Sequence, residues 1–134
     1  MSRSTELLIQ SPAEPSMSAL ALARCIDACI DCAAACTACA DACLMEPDIE
    51  RLSRCISLDI SCADICATTA RVLSRLHAHD RDLVVPLVQA CAKACGTCAV
   101  ECEAHLTKHA HCRTCAFACR ECERACQSFL TATA

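Results

Sequence analysis

Residues 25–43 read Cys25-Ile26-Asp27-Ala28-Cys29-Ile30-Asp31-Cys32-Ala33-Ala34-Ala35-Cys36-Thr37-Ala38-Cys39-Ala40-Asp41-Ala42-Cys43, and their cysteines advance in steps of 4, 3, 4, 3 and 4. Alternating steps of three and four keep a side chain on one stripe of an α-helix, as in the a/d seam of a heptad repeat. The charged residues Asp27, Asp31 and Asp41 fall off that stripe. The segment is therefore a helix whose buried face is made of thiols. At 1.5 Å per residue, the seam from Cys25 to Cys43 spans about 27 Å.

Three further segments repeat the rule. Cys91, Cys95, Cys98 and Cys102 step 4, 3, 4, and Cys112, Cys115, Cys119, Cys122 and Cys126 step 3, 4, 3, 4. Cys55, Cys62 and Cys66 form a sparser seam with steps of 7 and 4. Arg120, Glu121, Glu123 and Arg124 lie off the last seam. Four matched seams predict an all-α chain, folded as an antiparallel up-down-up-down four-helix bundle with a Cys-lined core.

Composition agrees. The 134 residues include 18 Cys, one Gly, two Phe and no Trp or Tyr, too few strand formers for a sheet protein. Punctuation divides the chain into a polar arm over residues 1–16, with room for one turn near Leu7–Ile9, and a bundle over 17–131. The expected helices are 17–45, stopped by Glu46-Pro47; 48–77, with Asp48 as N-cap; 81–108, with Pro86 near its start; and 111–131. The net charge of −4 with both signs interspersed offers no basic patch for nucleic acid and no polybasic membrane anchor. Residues 1–15 lack the apolar stretch of a secretory signal, and no later run is long and uncharged enough to span a bilayer. A reducing cytoplasmic setting is expected, with the thiols kept as thiols.

One or two cysteines on an apolar face mean only packing. Eighteen, in places where a bundle ordinarily carries Leu or Ile, point to chemistry. Disulfides between residues three or four apart on one helix require its unwinding; bridges between helices are geometrically possible, and the lack of an export signal argues against them. Iron–sulfur motifs group three or four Cys, commonly ahead of Pro, and no Pro follows a cysteine here. Cys-X-X-Cys pairs such as Cys29/Cys32 recur too often, and without a βαβ context, to single out a redox pair. Soft-metal ligation remains, and thiolates select Cu(I). Zn(II) on four thiolates leaves two negative charges per site, which is costly to repeat in one dry core. One Cu(I) per thiolate is neutral, so a continuous seam fills with many Cu(I) ions per chain without accumulating charge. A zinc or general soft-metal buffer, and a thiol-based metal-transfer or redox protein, are the alternatives. No constellation of an enzyme stands out.

The two ends of the seams differ. Leu22, Thr69, Leu73, Leu76, Val84, Val88 and Phe129 gather at one end as an apolar plug. Cys43, Met45, Cys102, His105, His109, His111 and Cys112 gather at the other. Copper is expected to pass there, His105 and His109 being the leading candidate ligands and Met45 and His111 the next; the alternative for each is a solvated helix-end side chain. His77 and His79 read as loop residues at the plug end. Asp59 fills the gap in the seam between Cys55 and Cys62. It reads as a copper ligand, a partner for a mouth histidine, or a carboxylate at the bundle edge.

These residues resemble the bacterial copper storage proteins, and in particular their cytosolic branch. The resemblance rests on Cys25-Ile-Asp-Ala-Cys-Ile-Asp-Cys through Cys43, on Cys91 through Cys102, and on Glu101-Cys-Glu-Ala-His-Leu-Thr-Lys-His-Ala-His-Cys through Cys126. It covers roughly residues 17–130 and implies a four-helix bundle that stores many Cu(I) ions on core Cys. Exported relatives carry a twin-arginine signal, so its absence implies the cytosolic type. The resemblance also implies a homo-oligomer, commonly a tetramer. Copper ions are the partners it implies, exchanged with a copper chaperone or a cellular thiol.

Overall fold

The computed structural model describes residues 2–12, 14, 17–75 and 79–134. Among these there is no strand; the elements are α1 (Arg3–Gln10), α2 (Ala19–Leu44), a 3₁₀ turn (Ile49–Leu52), α3 (Ser53–Leu73), α4 (Arg81–Glu103) and α5 (Ala110–Ala132). The expected helix end at residue 77, the plug residue Leu76 and the loop residue His77 lie outside the described residues.

Local chemistry accounts for the boundaries and for several departures from expectation. The arm holds a two-turn helix, α1, because the Ser2 hydroxyl accepts the Thr5 N–H at 3.1 Å and Glu6 complements the first turn. The 26 residues of α2 contain no Gly or Pro, and the helix ends just before Glu46-Pro47. Asp48 stands at the N-cap of the 3₁₀ turn and not of α3, and its side chain makes no capping bond. Its carboxylate is engaged by His109, 3.0 Å away, so the chain passes through the 3₁₀ turn and α3 starts only at Ser53. The Asp80 side chain does cap α4, accepting the Asp82 N–H at 2.9 Å. Pro86 sits on the exposed side of the second turn of α4, where the carbonyl it leaves unbonded can face water. α4 ends at Glu103, ahead of the expected 108, and residues 104–108 form turns.

The four long helices close a ring of neighbours: α2 lies against α3 and α5, and α4 against the same two, while α1 rests on α2. By length and composition α4 could cross a membrane. Core helices share that property, and its seam Val84, Val88, Cys91, Cys95, Cys98 and Cys102 is buried against its neighbours. Leu22, Ile26, Leu73, Val84, Val88 and Phe129 supply most of the large apolar side chains in the core. Each stabilises by about 1.5–3 kcal/mol when fully buried. The rest of the core is nearly all thiol and Ala. On the surface, Arg120 joins α4 to α5 by a two-pronged pair with Glu103 at 2.8 and 2.9 Å, and also bonds Glu123 at 3.0 Å. Glu123 occupies the space left by Gly96, where an added Cβ would lie 2.5 Å from its Oε2.

Candidate metal centre

Each seam delivers its thiols to a common axis, and all 18 cysteines are free and buried. From the plug inward, Cys25 meets Cys126 at 3.8 Å, and Cys29 meets Cys91 at 3.8 Å and Cys122 at 3.7 Å. Cys66 lies 3.5 Å from Cys95, Cys32 lies 3.9 Å from Cys62 and 3.7 Å from Cys119. Cys36 lies 3.6 Å from Cys119 and 3.7 Å from Cys115. Near the mouth, Cys55 meets Cys102 at 3.7 Å and Cys39 meets Cys112 at 3.9 Å. These separations far exceed the ~2.05 Å of a disulfide. They match the roughly 3.8 Å expected between thiolates that share one metal at ~2.3 Å.

The thiols also form overlapping sets of four: Cys29/Cys91/Cys122/Cys126, Cys32/Cys66/Cys95/Cys122, Cys32/Cys36/Cys62/Cys119 and Cys36/Cys98/Cys115/Cys119. Cys122, Cys32, Cys36 and Cys119 each belong to two of them. Neighbouring metal positions therefore share sulfur, as a column of bridged ions needs and isolated four-thiolate sites do not. Burial alone pushes thiols up, as at Cys43, raised to about 11 mainly by desolvation and next by the charge of Cys39. At Cys25, hydrogen bonding with Cys126 and Cys29 outweighs burial and holds the thiol down at about 5.

Asp59 is wholly buried, which removes the reading that places it at the edge. Its Oδ1 accepts from Cys98 at 3.1 Å, Cys115 at 3.2 Å and Cys102 at 3.7 Å, and its Oδ2 accepts from Cys55 at 3.8 Å. The hydrogen bonds described for it go to thiols and not to a mouth histidine. Desolvation, followed by the charges of Cys115 and Cys98, pushes its carboxyl up to about 12, so it stays protonated at neutral pH while the thiols are metal-free.

The predicted mouth residues come together, with differences. His111 points Nδ1 inward, 3.5 Å from Cys39 Sγ and 3.7 Å from Cys112 Sγ, and joins a set with Cys39, Cys43 and Cys112. Burial alone would lower its pKa, but bonds to Cys39 and Glu46 together raise it. His109 is nearly buried and held between Glu46 and Asp48, and its hydrogen bond keeps Asp48 below the usual carboxylate range. His105 lies 2.8 Å from Glu101, which Arg54 also approaches at 3.3 Å. Met45 is 81% exposed at the C-cap of α2, outside the thiol sets described. Sequence reasoning missed Glu46, Asp48 and Glu101, taking the first two only as helix punctuation. Their shared signal is an acidic residue at the same end as every mouth histidine.

Helices that line a continuous core of reduced, ligand-sharing thiols define a soft-metal-binding protein. Residues 18–131 match the copper storage protein family, Csp, and the chain belongs to that family. It is similar to the Streptomyces lividans copper storage protein Ccsp loaded with 10 copper equivalents, at 48% identity over 96% of this chain and 98% of that one, TM-score 0.93. A five-copper structure of the cytosolic Streptomyces lividans protein is 51% identical over 86% of this chain and 96% of that one, TM-score 0.84. Cu(I)-bound BsCsp3 of Bacillus subtilis is 40% identical over 79% of this chain and 94% of that one, TM-score 0.71. No curated protein matches the chain.

Proposed function

We propose that the chain stores many Cu(I) ions on Cys25, Cys29, Cys32, Cys36, Cys39, Cys43, Cys55, Cys62, Cys66, Cys91, Cys95, Cys98, Cys102, Cys112, Cys115, Cys119, Cys122 and Cys126. The observation that carries the proposal is the column of thiols in overlapping sets. Bridging thiolates give one charge per Cu(I) and a neutral filled core, whereas the same sets filled with Zn(II) accumulate negative charge or leave thiols unused. The copper-loaded relatives support the same reading.

The arrangement is an antiparallel up-down-up-down four-helix bundle over residues 17–131, with residues 1–16 as an arm. The pairings Cys25–Cys126, Cys36–Cys119 and Cys39–Cys112, and likewise Cys55–Cys102, Cys62–Cys95 and Cys66–Cys91, support it: one number rises as the other falls. Copper passes at the end carrying His105, His109 and His111, with exposed Met45 as the outermost soft donor. Asp59, set among four thiols, becomes a ligand or a charge partner once neighbouring ions displace its proton. By kinship with the cytosolic Streptomyces protein, the chain works in the cytoplasm as a binding protein and not an enzyme. There it forms a homo-oligomer, a tetramer by family likeness, and exchanges copper with a chaperone or cellular thiol.

The test is an anaerobic titration of the reduced chain with Cu(I) against a competing chelator, repeated with Zn(II). Uptake of roughly one Cu(I) per cysteine, with far less zinc, is the expected result. Saturation at about one to four ions, or fuller and tighter zinc loading, overturns it.

A further inference from the structure

The pairings across the core repeat with the heptad. Cys39 meets Cys112 at 3.9 Å across α2 and α5, and Cys55 meets Cys102 at 3.7 Å across α3 and α4. Cys39 and Cys55 are themselves hydrogen-bonded. Seven residues toward the plug on every helix, Cys32 lies 3.7 Å from Cys119 and 3.9 Å from Cys62, and Cys62 lies 3.9 Å from Cys95. Each of these layers takes one thiol from each long helix. A further seven residues along, the same register brings Cys25, Thr69, Val88 and Cys126 to one level. Cys25 and Cys126 meet at 3.8 Å, so α2 and α5 still contribute thiols. The places belonging to α3 and α4 hold Thr69 and Val88, both wholly buried.

We propose that Thr69, with Val88 opposite it, is the end stop of the copper column and fixes how many Cu(I) ions the chain holds. The inference rests on the copper-storage reading. Both side chains are close to Cys in size, so this layer keeps the width of the thiol layers and differs in its ligands. The Thr69 hydroxyl donates to the Ile65 carbonyl at 2.7 Å, one turn back on its own helix. It stays neutral and is a hard donor, whereas Cu(I) is held by soft, ionised sulfur. A neutral core needs one thiolate for each Cu(I), and this layer supplies Cys25 and Cys126 alone. Beyond it the buried Leu22, Leu73, Val84 and Phe129 offer no ligand. The column therefore stops where α3 and α4 exchange thiols for a hydroxyl and a methyl group, although the backbone register continues unchanged.

The test is an anaerobic Cu(I) titration of the reduced full-length chain and its variants against a competing chelator. Thr69→Cys should hold about one ion more than the wild type, and Thr69→Cys combined with Val88→Cys about two more, following the added thiolates. Thr69→Val should match the wild type, because the hydroxyl is not a ligand. Thr68→Cys, at an exposed neighbour on the same helix, should gain nothing that survives the chelator. Exchanges that conserve volume are tolerated best in a core, and circular dichroism checks the fold. If Thr69→Cys does not fold, Val88→Cys alone is read by the same criterion. Unchanged capacity in the folded Cys variant, an equal gain in Thr68→Cys, or an ion lost in Thr69→Val overturns the end stop. A wild-type chain that saturates at about one to four ions refutes storage itself; one that loads many ions while Thr69→Cys gains none refutes the end stop alone.

Discussion

Asp59→Asn should stabilise the metal-free protein at neutral pH. The carboxyl is buried and pushed up from 3.8 to about 12, chiefly by desolvation. A group raised in this way favours the folded state fully only below its unfolded pKa, near 3.8. Above that value the unfolded chain releases the proton and the folded one does not, so stability declines as pH rises, through to about 12. At pH 7 the difference covers roughly three pH units at 1.36 kcal/mol each, a ceiling of about 4 kcal/mol. An amide keeps the acceptor for Cys98 and Cys115 but introduces N–H groups among thiols, returning about 1–3 kcal/mol. The net gain expected is about 1–3 kcal/mol at pH 7, shrinking to nothing or reversing near pH 4. Urea denaturation of both chains at several pH values from 4 to 7, with reductant and chelator present, measures it. Parallel stability curves for the two chains, or an Asn variant that loses ground as pH rises, refute the buried neutral carboxyl.

Phe129→Ala empties the largest fully buried side chain of the plug and should cost about 3–5 kcal/mol in the metal-free chain by thermal or urea unfolding; a loss below ~1 kcal/mol means the plug is loosely packed. Changing Cys62 and Cys66 together to Ala should lower Cu(I) capacity by roughly two ions while leaving helicity intact, because each thiol belongs to the shared column; a collapse of all loading would point to a single obligatory nucleus. Changing His105 and His109 to Ala should slow loading several-fold in stopped-flow traces yet preserve most capacity, since the thiols are untouched; equal rates would remove copper passage from that end. Gly96→Ala should be nearly neutral: the added Cβ displaces only the mobile end of Glu123 and breaks a surface pair worth about 0.2–1 kcal/mol, against about 1 kcal/mol of helix propensity gained.

Much of this molecule is determined by its sequence alone. Steps of three and four place each group of cysteines on one stripe, and four such stripes on a chain with a single Gly can only be buried against one another. The cysteine-lined core, the helical class and the soft-metal chemistry follow from the 3.6-residue period and from charge balance. The separation of an apolar end from a histidine end follows from reading each seam to its limits. What period does not supply is the axial register between helices, or how far a short link reaches across an end. Those are set by packing in three dimensions. Only the tertiary structure therefore decides that Asp59 is sealed among four thiols, and that Asp48 turns from a helix cap to His109. It likewise decides that Glu46 lies between two imidazoles and that Met45 stays in solvent. Each of these depends on side chains from separate elements meeting within about 3–4 Å, a distance finer than any one helix's pattern can specify.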